Sequence, residues 1–288
     1  MIQALDRQRA IFLHGLAGKR SRVPYHAAAL RDLAQQRMSI RAWAYIDGGA
    51  GNEETLESNR SAFSHVHIRP RMMHPNETAD FSSTLLGIPL AFPVLLAPIG
   101  VLDLICPKAD LHVARQCADI GVPFIFSNQA GTAMETCAQA MGDTPRWMQL
   151  YWSRSDELVL SFVRRAEAAG CSALVLTVDT TLLGWRSRDL DLGYLPFLRG
   201  MGIAQYTSDP VFKELLRKGG AAPDASAPRP PALGADAVLF GRPYAYGLAI
   251  DRHHGVRDTI LNLLNDFELT ARLAGCRNLK EIDASMMG

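Results

Sequence analysis

The sequence predicts an α/β barrel of parallel strands that lacks several of its units. From residue 92 onward, continuous apolar segments alternate with amphipathic helices, which is typical of parallel sheets buried on both faces. Polar residues follow each of these strands, as in a TIM (β/α)8 barrel, whose active site is built from the carboxyl ends of many strands. A doubly wound sheet usually shows a glycine-rich first turn, whereas the first turn here, APIGVLD, has a single glycine.

The chain is too short to hold a whole barrel. Roughly 150 residues separate the start of the first barrel strand at Phe92 from Arg242, against roughly 250 for eight units. We therefore predict that strands one to four and strand eight are present and that strands five to seven are absent. An Ala-, Pro- and Gly-rich linker, residues 219–231, takes their place. Strand eight neighbours strand one in a closed barrel, so the predicted strand order is 8-1-2-3-4.

The predicted elements follow one another as a single domain, residues 1–288. Residues 24–90 form N-terminal helices and a hairpin that turns at Gly87, with a further strand predicted at 65–73. Units one to four occupy 91–218, and unit eight with the C-terminal helix occupies 232–288. The predicted barrel strands are 92–100, 122–130, 145–152, 172–180 and 236–240, and the predicted helices are 108–121, 133–142, 155–170, 211–218 and 255–275. Residues 183–210 fit neither period and are predicted to be a long active-site loop.

Composition and charge narrow the function classes. The chain of 288 residues is 48% hydrophobic and 20% charged, as expected for a globular protein with a sizeable core. A formal net charge of +1 argues against a nucleic-acid partner. No stretch reaches the roughly 18 apolar residues of a membrane span, and the N-terminus does not resemble a signal peptide, so a cytoplasmic location is the default expectation. The five cysteines have no metal-site spacing, and no metal site is predicted.

Several motifs occur together in the order that one enzyme family shows. They are YIDGGAGNEETLESNRSAF, PVLLAPIG, MQLYW, LVLTVDTTLLGWRSRDL and FGRPYAYGLA. In these motifs the chain resembles the FMN-dependent L-2-hydroxy acid oxidoreductases, which include glycolate oxidase, lactate oxidase and mandelate dehydrogenase. Three segments, GDTPRWMQLYW, LGWRSRDLDLGYLPFLRG and YTSDPVFKELL, are most similar to the lactate 2-monooxygenase type. The resemblance covers about residues 30–218 and 232–283.

The resemblance implies FMN as cofactor and a small 2-hydroxy acid as substrate. The implied cofactor-binding residues are Pro98, Ile99 and Gly100 against the flavin ring, Ser127, Gln149 and Thr177 at its pyrimidine edge, and Gly241 and Arg242 at the phosphate. The implied substrate-binding residues are Tyr45, Tyr151 and Arg186, with Asp179 in support. Taken singly, each residue also has an ordinary structural explanation, such as a strand-end polar group or a solvated loop charge.

The family's catalytic segment has no counterpart in this sequence. In the family, strand five ends in a lysine, strand six in a Ser-Asn-His-Gly-x-Arg motif that carries the catalytic base, and strand seven in an Asp-x-Gly-x-Arg phosphate loop. His254 and Arg257 have the His-Gly-x-Arg spacing, but they fall at the start of the last helix, so His254 is not expected to be catalytic. No catalytic residue is therefore assigned.

Two functions follow from this reading. The first is FMN-dependent oxidation of a small, lactate-like L-2-hydroxy acid to the 2-oxo acid or its decarboxylated product, in an impaired or inactive form. The alternative is a non-catalytic copy that binds flavin or a partner. Whether the chain is an active enzyme, and whether it forms a homo-oligomer, the sequence leaves open.

Overall fold

The N-terminal part of the chain forms a helical layer and a hairpin. A computed structural model describes residues 4–73, 79–178, 180, 183–218, 236–283 and 286; the predicted linker 219–231 and Asp179 lie outside these residues. The N-terminal elements are helices α1 (Ala4–Leu16), α2 (Ala27–Arg37), α3 (Ile40–Asp47) and α4 (Glu54–Ser61), then strands β1 (Ser83–Leu85) and β2 (Ile88–Leu90). The two strands pair antiparallel around the predicted Gly87 turn, where φ is +79°.

Among the described residues, the central sheet has five strands, all parallel. They are β3 (Val94–Leu96), β4 (Phe124–Phe126), β5 (Arg146–Tyr151), β6 (Leu174–Thr177) and β7 (Val238–Phe240), in the order β6-β5-β4-β3-β7. Strand β7 pairs in parallel with β3, in a register that runs from Val94 opposite Val238 to Leu96 opposite Phe240. This is the predicted order 8-1-2-3-4 of an incomplete barrel, and the prediction is confirmed.

Helices cover one face of the sheet and the hairpin covers part of the other. The helices that follow the hairpin are α5 (Ala109–Ile120), α6 (Met134–Met141), α7 (Asp156–Ala168), α8 (Ser187–Asp191), α9 (Ala204–Ser208), α10 (Pro210–Arg217) and α11 (Arg242–Leu273). On the helix-covered face, Leu96, Phe124 and Met148 are buried with side chains of α5 and α6. On the inner face, Leu95 and Trp147 join Leu90 of the hairpin in a separate cluster. This alternation along each strand is the pleat expected of a barrel wall.

Three sequence predictions about elements are wrong in detail. Residues 65–73 do not form a strand, because their backbone bonds to the C-terminal segment instead: Arg69 N donates to Met286 O and Arg71 N to Ala274 O. The predicted loop 183–210 contains helices α8 and α9. The last helix begins at Arg242 rather than 255, and it is kinked at Asp251 and Arg252, whose backbone angles are not helical.

Membrane and cysteine expectations can be compared with the described residues. Within those residues, no helix is both long and apolar enough to cross a bilayer. All five cysteines are free, and Cys117, Cys137 and Cys276 are buried. Burial raises the pKa of the Cys171 thiol to about 11, which makes it a poor nucleophile at neutral pH. The thiols therefore behave as small core side chains.

Candidate functional site

The carboxyl ends of β4, β5 and β6 carry a row of buried polar side chains. Gln149 is the centre of this row: its Oε1 accepts from Asn128 N at 2.9 Å, and its Nε2 donates to Thr177 Oγ1 at 2.9 Å. Asn128 Oδ1 in turn accepts from Tyr151 N at 3.0 Å, and Ser127 Oγ accepts from Gln129 N at 3.0 Å. Parallel pairing places Tyr151 opposite Thr177, so these groups share one rim of the sheet. We call them the polar row.

The side-chain amide of Asn128 is an unusual group in the polar row. The residue is fully buried, yet its Nδ2 has no hydrogen-bond partner among the described residues. An unpaired buried donor costs roughly 1–3 kcal/mol, so such a group calls for a partner. The sequence analysis gives Asn128 no role, since nothing in its sequence position shows which of its atoms is left without a partner.

The loop after β3 closes against the polar row. This loop contains Pro98, Ile99 and Gly100, and Val101 N donates to Gln129 O at 2.8 Å, which ties it to the loop after β4. A Cβ atom at Gly100 would lie 3.0 Å from Gln129 Oε1 and 3.2 Å from the Tyr45 hydroxyl, so a larger residue would push either neighbour. Gly100 thus lets Tyr45 approach the rim closely.

Tyr45 and Arg186 meet although they are far apart in sequence. Arg186 Nη2 donates to Tyr45 O at 2.5 Å, and the guanidinium carbon lies 5.2 Å from the centre of the Tyr45 ring. Arg186 Nε donates to Asp189 Oδ2 at 2.6 Å, and Nη1 makes no hydrogen bond to a described residue. Burial raises the pKa of Tyr45 to about 12, against the opposing effect of Arg186 and with the help of Tyr151. The phenol is therefore a hydrogen-bond donor at neutral pH.

A buried carboxylate that sequence reasoning missed links α3, which carries Tyr45, to α8, which follows Arg186. Asp47 is fully buried at the end of α3 and accepts from Arg31 Nε and Nη2 at 2.8 and 2.7 Å, from Arg188 Nη1 at 3.0 Å and from the Tyr246 hydroxyl at 2.6 Å. Although burial opposes ionisation, the hydrogen bonds from Arg31, Tyr246 and Arg188 hold the pKa of Asp47 below its usual 3.8. Arg188 also pairs with Glu53. We call this group the Asp47 cluster.

The Gly241–Arg242 turn forms the other end of the site. Gly241 is the N-cap of α11, where the helix dipole favours an anion, and a Cβ there would lie 3.5 Å from Ile99 Cδ1 in the loop after β3. The Arg242 guanidinium turns away from this position toward α3: Nε donates to Ile46 O at 3.1 Å and Nη2 to Gly48 O at 3.3 Å. The turn reaches the rim, while the Arg242 side chain braces α3.

His254 does not lie at the end of any described strand. It is exposed on α11 just after the kink, its ring is 4.0 Å from that of His253, and His253 stacks on His112 of α5 at 5.8 Å. These three histidines belong to the outer helical layer. Nor do the described residues contain a group of three or more His, Cys, Asp or Glu side chains placed to hold a metal ion.

Comparison with known proteins identifies the family. The family described as FMN-dependent dehydrogenase matches residues 34–229 and 228–288, which is most of the chain. This chain belongs to the FMN-dependent dehydrogenase family. Its two matched segments meet between β6 and β7, where the predicted linker lies.

Related proteins differ in how much of this family member they match. An FMN-dependent alpha-hydroxy acid dehydrogenase of Penicillium citrinum is 39% identical over 187 residues, which are 65% of this chain and 46%, about half, of that relative. One from Schizosaccharomyces pombe is 27% identical over 386 aligned residues, covering 98% of this chain and 95% of the relative. L-lactate oxidase of Lysinibacillus sphaericus is 27% identical over 350 residues, covering 89% and 91%. The second and third alignments are longer than the 288 residues of this chain, so they contain internal gaps.

Solved structures support the barrel assignment. The crystal structure of a mandelate oxidase superposes on this family member with a TM-score of 0.78 at 25% identity, covering 91% of this chain and 97% of that one. Another mandelate oxidase structure, with a TM-score of 0.74, holds an FMN adduct. The similarity to lactate 2-monooxygenase expected from three segments stays a prediction.

FMN is the cofactor of this family, and the residues present fit its ring better than its phosphate. The polar row offers uncharged donors and acceptors at fixed heights along the rim, and the unpartnered Asn128 Nδ2 is a donor without an acceptor there. A flavin edge, which alternates donors and acceptors, matches this chemistry. At the phosphate end, the described residues supply the α11 N-terminus, whereas the Arg242 guanidinium is already bonded to α3. Ring binding is therefore better supported than phosphate binding.

Proposed function

We propose that this chain binds FMN and a small L-2-hydroxy acid but oxidises the acid far more slowly than a complete member of its family. The observation that carries the proposal is the polar row, which lies beside Tyr45 and Arg186 while no described strand ends in a histidine. When bound, FMN would take two electrons from the α-carbon of the acid. The chain's own residues supply the binding and the orientation.

Substrate binding would fall to Tyr45, Tyr151 and Arg186. Arg186 is a permanent cation whose Nη1 makes no bond to a described residue, so it suits a carboxylate. Tyr45 stays protonated because its pKa is about 12, so its hydroxyl can donate to the carboxylate or to the substrate hydroxyl. Tyr151 lies at the end of β5 beside the polar row, and its phenol influences the pKa of Tyr45.

Among the residues that the structure describes, no histidine is placed to accept the hydroxyl proton. The sequence has eight histidines. The described ones lie in helices, at helix ends or in the irregular segment after α4, and His254 is exposed on α11. General base catalysis typically contributes about 10²–10⁴-fold to a rate, so its loss alone would account for a severe defect. The polar row and the substrate-side residues do not depend on that base, which is why binding would survive.

The first experiment separates binding from turnover. We expect FMN to bind, as measured by quenching of flavin fluorescence, and to bind more weakly in Gln149→Leu but not in the control Gln35→Leu, whose side chain is exposed on α2. In anaerobic stopped-flow measurements with L-lactate, glycolate and L-mandelate, we expect the bound flavin to stay oxidised over the time in which a complete family member would reduce its flavin. Rapid flavin reduction that His254→Ala abolishes would contradict the proposal, since it would make His254 the base.

A second candidate function is that of a non-catalytic copy that binds only a partner protein, and it predicts that FMN does not bind. It is favoured by the bonding of Arg242 to α3, which takes that cation away from the phosphate end. If FMN does not bind at any concentration up to millimolar, the partner-binding function is supported and the flavin-binding proposal fails.

A further inference from the structure

The two outermost strands of the sheet carry exposed apolar side chains. Leu174 and Leu176 of β6 are each 44% exposed, and Val238 and Leu239 of β7 are 59% and 47% exposed. By contrast, Leu95 and Ile125 of the central strands are 1% exposed or less. Within the described part of the chain, each outer strand pairs on one side only: β6 with β5 and β7 with β3.

Neither edge strand contains a charged residue or a proline that would oppose edge pairing. Strand β6 has the sequence LVLT and strand β7 the sequence VLF, without lysine, proline or any charge. Both are rich in β-branched and large apolar residues. Unpaired N–H and C=O groups on such a strand are a template for pairing with another chain. The described edges are therefore suited to accept a strand.

The two edges flank the junction of the two family-matched segments. These segments meet at residues 228–229, between β6 and β7, and one alignment, of 386 residues, exceeds the 288-residue chain by about a hundred positions. A complete barrel has eight strands, so a sheet of five leaves a gap between its edges.

We propose that two copies of this chain close a ten-stranded parallel barrel, in which β6 of each copy pairs with β7 of the other. All five strands run in the same direction, so a two-fold axis along the barrel brings each β6 beside the partner's β7 in the parallel sense. This single two-fold rotation pairs both edge strands of both chains. The proposal concerns the fold and does not rest on the proposed function.

A second copy would pair both edges once each sheet opens from five eighths of a closed barrel to half of one, which a single foreign strand could not do. One added strand would cover β6 or β7 but leave the other edge open, whereas the two-fold arrangement leaves none. Pairing β6 with β6, the usual alternative for a two-fold axis across a sheet edge, would be antiparallel and would leave both β7 edges exposed. Closure also brings the Gly241–Arg242 turn of one copy to the rim beside Thr177 of the other.

The first test measures mass. By size-exclusion chromatography with light scattering, we expect a species of twice the 31.5 kDa chain mass. Leu176→Lys places a charge in the edge of β6 and is expected to weaken the dimer by more than about tenfold. The control Leu160→Lys also removes an exposed leucine, but from helix α7, and is expected to leave the dimer intact. A wild-type monomer overturns the proposal, as does a dimer that Leu176→Lys leaves unchanged.

The second test fixes which edges meet and does not require a destabilising variant. In a background of Cys171→Ser and Cys106→Ser, chains with Leu174→Cys and chains with Val238→Cys are mixed and oxidised. Both positions are on the helix-covered face, because they pair with Met148 and Val94 of the core. We expect disulfide-linked dimers in the mixture and none in either chain alone. Disulfide-linked dimers in the sample that contains only Leu174→Cys chains would show antiparallel β6 pairing. In a chain that carries both Leu174→Cys and Val238→Cys, a ladder of higher masses would show an open polymer. Either result overturns the closed barrel.

Discussion

The two sides of the candidate site are held together by different chemistry. On the substrate side, the Asp47 cluster joins α2, α3, α8 and α11 through a buried carboxylate and two guanidinium groups. On the flavin side, the polar row joins β4, β5 and β6 through uncharged amide, hydroxyl and backbone groups. Charge is thus confined to the side where an anionic substrate would arrive, and the side that would meet the flavin ring stays neutral.

A second buried carboxylate shows what this difference means for ionisation. Asp110 of α5 is almost fully buried and accepts from the backbone N–H groups of Gly131 and Thr132, at 2.9 and 3.2 Å, with no cation among its partners in the described part of the chain. Burial, followed by the charge of the neighbouring Asp103, raises its pKa to about 7. Asp47 is just as buried, but its pKa is lowered, because two cations face it. The partners of a carboxylate, rather than its depth, decide its charge.

The largest expected effect tests the charged side. Asp47→Ala would leave Arg31 and Arg188 without their shared partner, and we expect a loss of about 2–4 kcal/mol in the free energy of unfolding, moderated because both guanidinium groups are partly exposed. Urea unfolding followed by circular dichroism measures the loss. Asp143→Ala, at an exposed position, serves as the control and should change stability by less than about 0.5 kcal/mol. If Asp47→Ala and Asp143→Ala lowered the free energy of unfolding equally, the Asp47 cluster would not be what stabilises the charged side of the site.

The next effect concerns pH and has opposite signs at the two carboxylates. Because the pKa of Asp110 is raised in the fold, its contribution to stability is complete below 3.8 and is lost as pH rises toward 7. Asp110→Asn keeps an oxygen for Gly131 and Thr132 but has no carboxyl group to ionise. The wild type should lose on the order of 1–3 kcal/mol in the free energy of unfolding between pH 4 and 8 through Asp110, and the variant should not show this loss. Because the pKa of Asp47 is lowered, its stabilisation is present above 3.8 and is lost as pH falls below that value.

Unfolding measured across pH 4–8 in wild type, Asp110→Asn and Asp143→Asn would check these signs. A profile for Asp110→Asn that is parallel to wild type would show that Asp110 is ionised throughout and that backbone donors alone suffice to keep it charged.

The smallest expected effect tests the neutral side. Gln149→Leu removes the acceptor for Asn128 N and the donor to Thr177 Oγ1, and leaves a buried N–H unpaired, so we expect a loss of about 1–2 kcal/mol. Gln35→Leu on the exposed face of α2 is the matched control. Because no charge is involved, the loss should be the same at pH 5 and pH 8. A loss that depends on pH would mean that the polar row is coupled to Asp110.

The sequence by itself determined the strands, their order and their polar ends. Apolar runs such as PVLLA and DAVLF are local signals, and the pairing of the last strand with the first follows from barrel closure, which the structure confirms. The residues of the polar row could be predicted for the same reason, since a polar group after a buried strand can only lie at its rim. The motifs also placed the chain in its family.

Only the tertiary structure decided which charges meet and where the sheet ends. Asp47 and Arg188 are 141 positions apart, as are Tyr45 and Arg186, and no sequence period links such pairs. The helices inside 183–210 and the course of 65–73 also depend on partners elsewhere in the chain, because short segments take the conformation that satisfies their backbone groups. The local sequence pattern determines where a strand or helix forms. Contacts between distant residues determine what its polar atoms and its edges bind.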